Sequence, residues 1–291
     1  MKKVVRRNLL GLSVVLVVFF GAIPGYIDQN KNSVSTVPPH PKPVYYDSIP
    51  FIADLHCDEL LWDRDLLKEI SYGHVDLPRM QRANMAFQVF TVVSKVPFGI
   101  NIEQNDSNSD QIALLSFVQL RPPSNWFSVK KRALQQCENL ADFAEASEGK
   151  LRVIKNRGDL ERFMADRAKD HSITSGMLGL EGAQPLEGNL DNLKTFYDAG
   201  VRYIGLAHFF DNEFAGSAHG MKKGGLTSLG KELIQKMTDL HITIDLAHAS
   251  SQTIDDVLAV HNGPVLVSHT GVKGVCDNQR NLSDAHLIAI G

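Results

Sequence analysis

Five residues able to bind a divalent cation each close a short apolar or β-branched run: His56 and Asp58 in FIADLHCD, Glu181 in SGMLGLEG, His248 in ITIDLAH and His269 in PVLVSH. Imidazole and carboxylate donors without thiolate suit zinc and similar first-row ions, in a set that fits hydrolysis rather than a structural site. Two cations sharing one carboxylate would hold a water between them, lower its pKa and polarise a scissile carbonyl. Asp54, His56 and Asp58 fall on one side of a strand, two residues apart. Burying that much polarity without partners is expensive, so either a metal or a hydrogen-bonded cluster must satisfy it. Alone, Glu181 reads as a turn residue before Gly182, and each histidine as a satisfied core side chain. The two histidines, at equivalent points of consecutive strands, turn the balance toward a metal.

The runs that carry these residues must be brought to one face. Seven segments read as strands: FIADLHC, AFQVFTVV, LRVIKN, SGMLGLEG, VRYIGLAH, ITIDLAH and PVLVSH. Helical spacing of apolar residues lies between them, in DLPRMQRANM and over 129–146, 159–169, 190–199, 226–240 and 253–260, with a last stretch from Ser283. The polar segment 103–110 and the RPPSN turn at 121–125 read as loops or insertions. Alternating strands and helices imply a parallel sheet with right-handed crossovers. The fold class is therefore α/β, a TIM-type (β/α)8 barrel, whose strand ends gather at one face where dispersed residues converge. Such a barrel needs eight strands, and the chain stops at Gly291 inside a helical pattern with no closing strand. An incomplete barrel, truncated at its C-terminus, is the expectation.

Composition bounds the rest. The 291 residues suffice for one such barrel, which runs to about 250 residues, and 43% hydrophobic with 22% charged residues is ordinary for a packed domain. A net charge of −3 without a basic stripe beyond the N-terminus gives no electrostatic reason to expect nucleic acid as a partner. Cys57, Cys137 and Cys276 are too scattered for a thiolate zinc site, and strand alternation turns Cys57 away from the face of His56 and Asp58, as a core thiol. Lys2, Lys3, Arg6 and Arg7 precede an apolar stretch over 9–23, shorter than the roughly 20 residues of a comfortable span and without a clear cleavage site. Residues 1–27 are thus expected to be an export signal or a retained membrane anchor, with Arg6–Arg7 hinting at a twin-arginine signal. Residues 28–47 read as a Pro-rich spacer in which His40 is solvated, and 48–291 as the hydrolase barrel. The expected location is the cell envelope, with the domain outside the cytoplasm.

Taken together, DLHCD, GLEG, YIGLAHFFDNEFAGSAHG, GGLTSLGKELI, IDLAHAS and PVLVSHTGVKGVCDNQRNLSD resemble the membrane or renal dipeptidases, a branch of the amidohydrolase superfamily. The resemblance covers the chain from about Phe51 to its end and is closer to bacterial members than to the kidney enzyme. It implies a (β/α)8 barrel with two Zn2+ ions: His56 and Asp58 on one, Glu181 bridging, and His248 with His269 on the other. It further implies that His208 contacts substrate near the scissile carbonyl and that Arg280 holds the substrate's C-terminal carboxylate, a task suited to a planar fork of donors. Without it, His208 reads as a buried strand-end histidine and Arg280 as half of a surface salt bridge. His219 and Asp211 lie in the loop beyond His208 and could shape the site. The family's proton-handling aspartate, on its last barrel strand, would fall beyond residue 291, so the catalytic acid–base group is unknown. The implied activity is hydrolysis of small dipeptides, in a protein that could form a homodimer. The alternatives are hydrolysis of an N-acyl amino acid or a lactone on the same metals, and a non-catalytic envelope binding protein.

Overall fold

All seven segments read as strands are strands in the computed structural model, which describes residues 17, 19–34, 49 and 51–291. They are β1 (Ile52–Cys57), β2 (Met85–Val92), β3 (Leu151–Val153), β4 (Thr174–Leu180), β5 (Val201–Gly205), β6 (Thr243–Asp245) and β7 (Val265–Leu266). Every pairing is parallel, and the sheet runs β1-β2-β4-β5-β6-β7, a six-stranded part-barrel. The seventh strand departs from the simple alternation. β3 pairs with the first residues of β4, Leu151 opposite Thr174, while β5 pairs further along, Val201 opposite Leu178. Because β2 occupies the other edge of β4 from Phe87–Ser175 to Val92–Leu180, β3 and β5 share one edge.

Strands buried on both faces read as continuous apolar runs rather than alternating ones, and Val89, Phe90, Val92 and Leu180 are all fully buried. The helices begin where short polar side chains can cap their free N–H groups. Asp76 caps α2 (Leu77–Arg82), Asp110 caps α3 (Gln111–Val118), and Ser128 caps α5 (Val129–Ala146), which follows the short α4 (Pro123–Phe127). Asn156 caps α6 (Arg157–Arg167), Thr227 caps α8 (Ser228–Asp239), Ser250 caps α9 (Ser251–Val260) and Ser283 caps α10 (Asp284–Ile290). Between them, α7 (Asp191–Ala199) stops at Gly200, whose φ of 106° only glycine adopts readily. Phe196, Leu233, Met237 and Val257 from these helices pack with Phe90, Leu178 and Ile244 from the strands into one core. Gly179 makes room in it: a Cβ there would lie 2.3 Å from the Tyr203 ring.

Two parts differ from the sequence reading. The segment after the 103–110 loop forms α3, and the RPPSN break contains the start of α4. Residues 19–31 form a helix, α1, that runs past Asp28, where the spacer was expected to begin. It is latched to the barrel, because buried Asp28 meets Arg64 at 3.1 Å and Gly73 N–H donates to the Asn32 carbonyl at 2.8 Å. Among the described residues, no helix is long and apolar enough to cross a membrane. Most of the expected signal or anchor, and the spacer over 35–48 with His40, lie outside the described residues.

Candidate metal centre

Parallel strands deliver their C-terminal ends to one face, and the site residues follow that rule closely. His56 is the last residue but one of β1 with Asp58 just beyond the strand, Glu181 is the first residue after β4, and His208, His248 and His269 each stand three residues past β5, β6 and β7. Glu181 is the hub. Its Oε1 lies 3.3 Å from His56 Nε2, 3.3 Å from His248 Nε2 and 3.7 Å from His269 Nε2, and its Oε2 lies 3.2 Å from His208 Nε2. The Nε2 atoms of His248 and His269 are 2.9 Å apart. Two triads capable of holding a metal share Glu181: His56–Glu181–His269 and Glu181–His208–His248.

This grouping differs from the pairing that the resemblance implies. Asp58 belongs to neither triad; its Oδ1 sits 3.3 Å from His56 Nε2 and accepts the Thr91 hydroxyl. His208, assigned to substrate by the resemblance, stands inside the second triad. Asp54 turns to barrel packing, accepting from Gln88 Nε2 at 2.9 Å.

Electrostatics favour a cation. Burial disfavours charge on Glu181, but His208, His248 and His56 outweigh it and hold the carboxyl well below its usual range. Burial pulls His208 down and His248 well down, and it brings His269 to about 3, helped by His56 and Arg280. His56 goes the other way: burial opposes its charge, yet Asp58 and Glu181 raise it to about 10. Burial thus keeps His208, His248 and His269 neutral beside an ionised Glu181, the form in which imidazole binds a metal. Nδ1 of His56, His208 and His248 are buried without a hydrogen-bond partner, so these rings are positioned by packing.

Backbone and neighbours fix the rest. His248 has φ of 63°, a left-handed conformation costly for a residue with a side chain, held by Ala218 N–H on its carbonyl at 2.8 Å. Asp211 shapes the loop after β5 by accepting Ser217 N–H and Lys222 N–H. His219 is buried in that loop, with Nδ1 on the Ile102 carbonyl at 2.8 Å and its ring 5.3 Å from His248. Arg280 donates to the His269 carbonyl at 2.8 Å, and no ion pair to it occurs among the described residues, so the salt-bridge reading is not realised. Burial pushes the Cys57 thiol up, as expected of a core thiol.

Sequence reasoning missed Asp245. Buried at the end of β6, it accepts the Ser268 hydroxyl at 2.6 Å, and Ser268 Oγ meets His269 Nδ1 at 2.9 Å. It also accepts Ser268 N–H and Ala247 N–H, tying the ends of β6 and β7 together. A carboxylate inside the apolar run ITIDLAH was the available signal. The centre forms the floor of a cavity of about 730 Å3.

The chain has relatives among known proteins. A family model described as membrane dipeptidase, peptidase family M19, matches residues 48–291. Two uncharacterized dipeptidases of Schizosaccharomyces pombe are similar. One is 26% identical over 216 residues, 73% of this chain and 47% of that protein; the other is 39% identical over 118 residues, 40% of this chain and 29% of that protein. The chain thus spans less than half the length of these relatives. Among solved structures, dipeptidase AC of family M19 aligns with a TM-score of 0.63 at 25% identity, covering 82% of this chain and 69% of that one. A Rhodobacter sphaeroides metallo peptidase, liganded with a phosphinate mimic of the dipeptide L-Ala-D-Ala, shares the fold at a TM-score of 0.65 and 24% identity, over 82% of this chain and 70% of that one. With a histidine and glutamate metal-binding cluster at the mouth of a part-barrel and a family match over 48–291, this chain belongs to the membrane dipeptidase family.

Proposed function

We propose that the chain carries the metal centre of a zinc-dependent dipeptidase acting on small dipeptides, exported to or anchored at the cell envelope. The observation that carries this reading is Glu181, one buried carboxylate shared by two histidine triads. A pair of divalent cations there would supply Lewis acidity, lowering the pKa of water and polarising a carbonyl. His56, Asp58, Glu181, His248 and His269 are the residues assigned to hold them, with Glu181 common to both. His208, kept neutral by burial, is the residue assigned to contact the substrate near its scissile carbonyl. Arg280, free of any ion pair beside His269, offers a fork of donors to the free carboxylate. The dipeptide mimic bound by the fold-level relative supports this substrate class. The basic residues before the apolar stretch over 9–23 support the location.

The test combines metal content with turnover on a panel of dipeptides, N-acyl amino acids and lactones. Two zinc ions per chain and dipeptide hydrolysis are expected. Bound metal without turnover would favour a binding protein, and turnover confined to acyl or lactone substrates would favour another amidohydrolase.

A further inference from the structure

The metal centre floors a cavity far larger than its polar chemistry needs. Its 730 Å3 is about five times the ~150 Å3 that accommodates a benzene ring, and it lies in the upper part of the range of small-molecule sites. One wall is almost wholly apolar, built from Val96, Phe98, Ile100, Ile112 and Leu115. These come from the end of the segment after β2 and from α3, the helix inserted between β2 and β3. Ile27 and Lys31 of α1, with Asn32 just beyond it, also line the cavity, the helix being held by the buried Asp28–Arg64 pair. Phe98 and Ile100 leave about half their surface open, at 54% and 48%. Apolar surface left accessible beside a polar reaction centre gains free energy only when a ligand covers it.

We propose that this wall is a specificity subsite selecting dipeptides with a large apolar side chain on the N-terminal residue. The inference rests on the dipeptidase reading. Arg280 is not among the residues lining the cavity. A substrate with its carboxylate at Arg280 and its scissile bond over Glu181 leaves its N-terminal residue as the part to enter this cavity, which Phe98, Ile100 and Leu115 line. Continuity with the metal floor makes the occupant a substrate group rather than a protein partner. α3 is absent from the simple strand–helix alternation, so the subsite belongs to an insertion between β2 and β3.

The test uses the metal-loaded full chain and a series Xaa-Gly with Xaa alanine, aminobutyrate, norvaline and norleucine, together with the matching non-hydrolysable phosphinate mimics. Affinity for the mimics is read from Trp62, which lines the cavity, with Trp62→Phe identifying the signal. The expected result is roughly fourfold tighter binding and higher kcat/KM per added methylene, the fold-change equivalent of ~0.8 kcal/mol. The partly exposed pair Phe98→Ser and Ile100→Ser, checked for unchanged melting, should flatten that slope. Hydrolysis of the series with no dependence on chain length would overturn the subsite and leave the dipeptidase reading intact. A steep slope for the mimics without hydrolysis of any dipeptide would support the subsite and overturn the dipeptidase reading.

Discussion

Replacing Glu181 by glutamine removes one negative charge while keeping the side-chain volume, which makes it the sharpest probe of the centre. Four imidazole nitrogens lie 3.2–3.7 Å from its oxygens, and the side chain is 7% exposed. At the 3.3 Å separation from His56, a pair of unit charges in an effective dielectric of about 20 attracts by roughly 5 kcal/mol. A divalent ion doubles that gross figure, and desolvation offsets much of it. Truncating one partner of a buried charge pair costs ~2–5 kcal/mol, a loss of roughly 30- to 5,000-fold in affinity. Because the carboxylate is common to both triads, both ions should weaken together. Titration calorimetry of the metal-free chain with Zn2+, against a competing chelator, reads this directly. Retention of two ions at wild-type affinity, or loss of one with the other untouched, would refute the shared-carboxylate reasoning.

Further outcomes follow from the same geometry. Asp245→Ala frees Ser268 and with it the His269 ring; metal affinity should fall by about 10- to 100-fold, seen in the same titration, with helical and strand content unchanged by circular dichroism. Arg280→Ala should raise KM for dipeptides with a free carboxylate by roughly 10- to 150-fold, the equivalent of ~1.5–3 kcal/mol for a hydrogen bond to a charged group, while C-terminally amidated analogues respond little. Burial raises the Cys137 thiol to about 12 and pushes Cys57 up as well, while Cys276 is exposed; an aromatic disulfide reagent near pH 8 should titrate one thiol rapidly in the native chain and three in denaturant. Phe196→Ala empties a fully buried core position and should cost ~3–5 kcal/mol, lowering the denaturation midpoint with little change in slope.

Much of this molecule could be read before folding. Strand candidates such as AFQVFTVV and SGMLGLEG are strands because their runs are apolar enough to be buried on both faces. α5 spans 129–146 as the spacing predicts, and Ser128, Thr227, Ser250 and Ser283 mark helix starts through local capping that needs no distant partner. The site residues were visible for the same reason: a polar side chain ending an apolar run stands out against its neighbours. α3 was not legible, because its apolar residues are spread around the helix rather than gathered on one face, leaving no periodic signal. Nor was the latch of α1 onto Arg64, since the ion pair joins residues far apart in the chain and only packing brings them together.

Residue types and their positions along the chain therefore determined which side chains reach the mouth of the barrel, because strand direction and periodicity are local properties. Which of them meet was decided by the tertiary structure alone. Packing around His56, His208 and His248, the left-handed turn at His248 and the tie from Asp245 through Ser268 to His269 bring His269 to His56 and His208 to His248 around Glu181. Such groupings depend on distances of a few ångström across strands well separated in sequence, and no one-dimensional pattern encodes them.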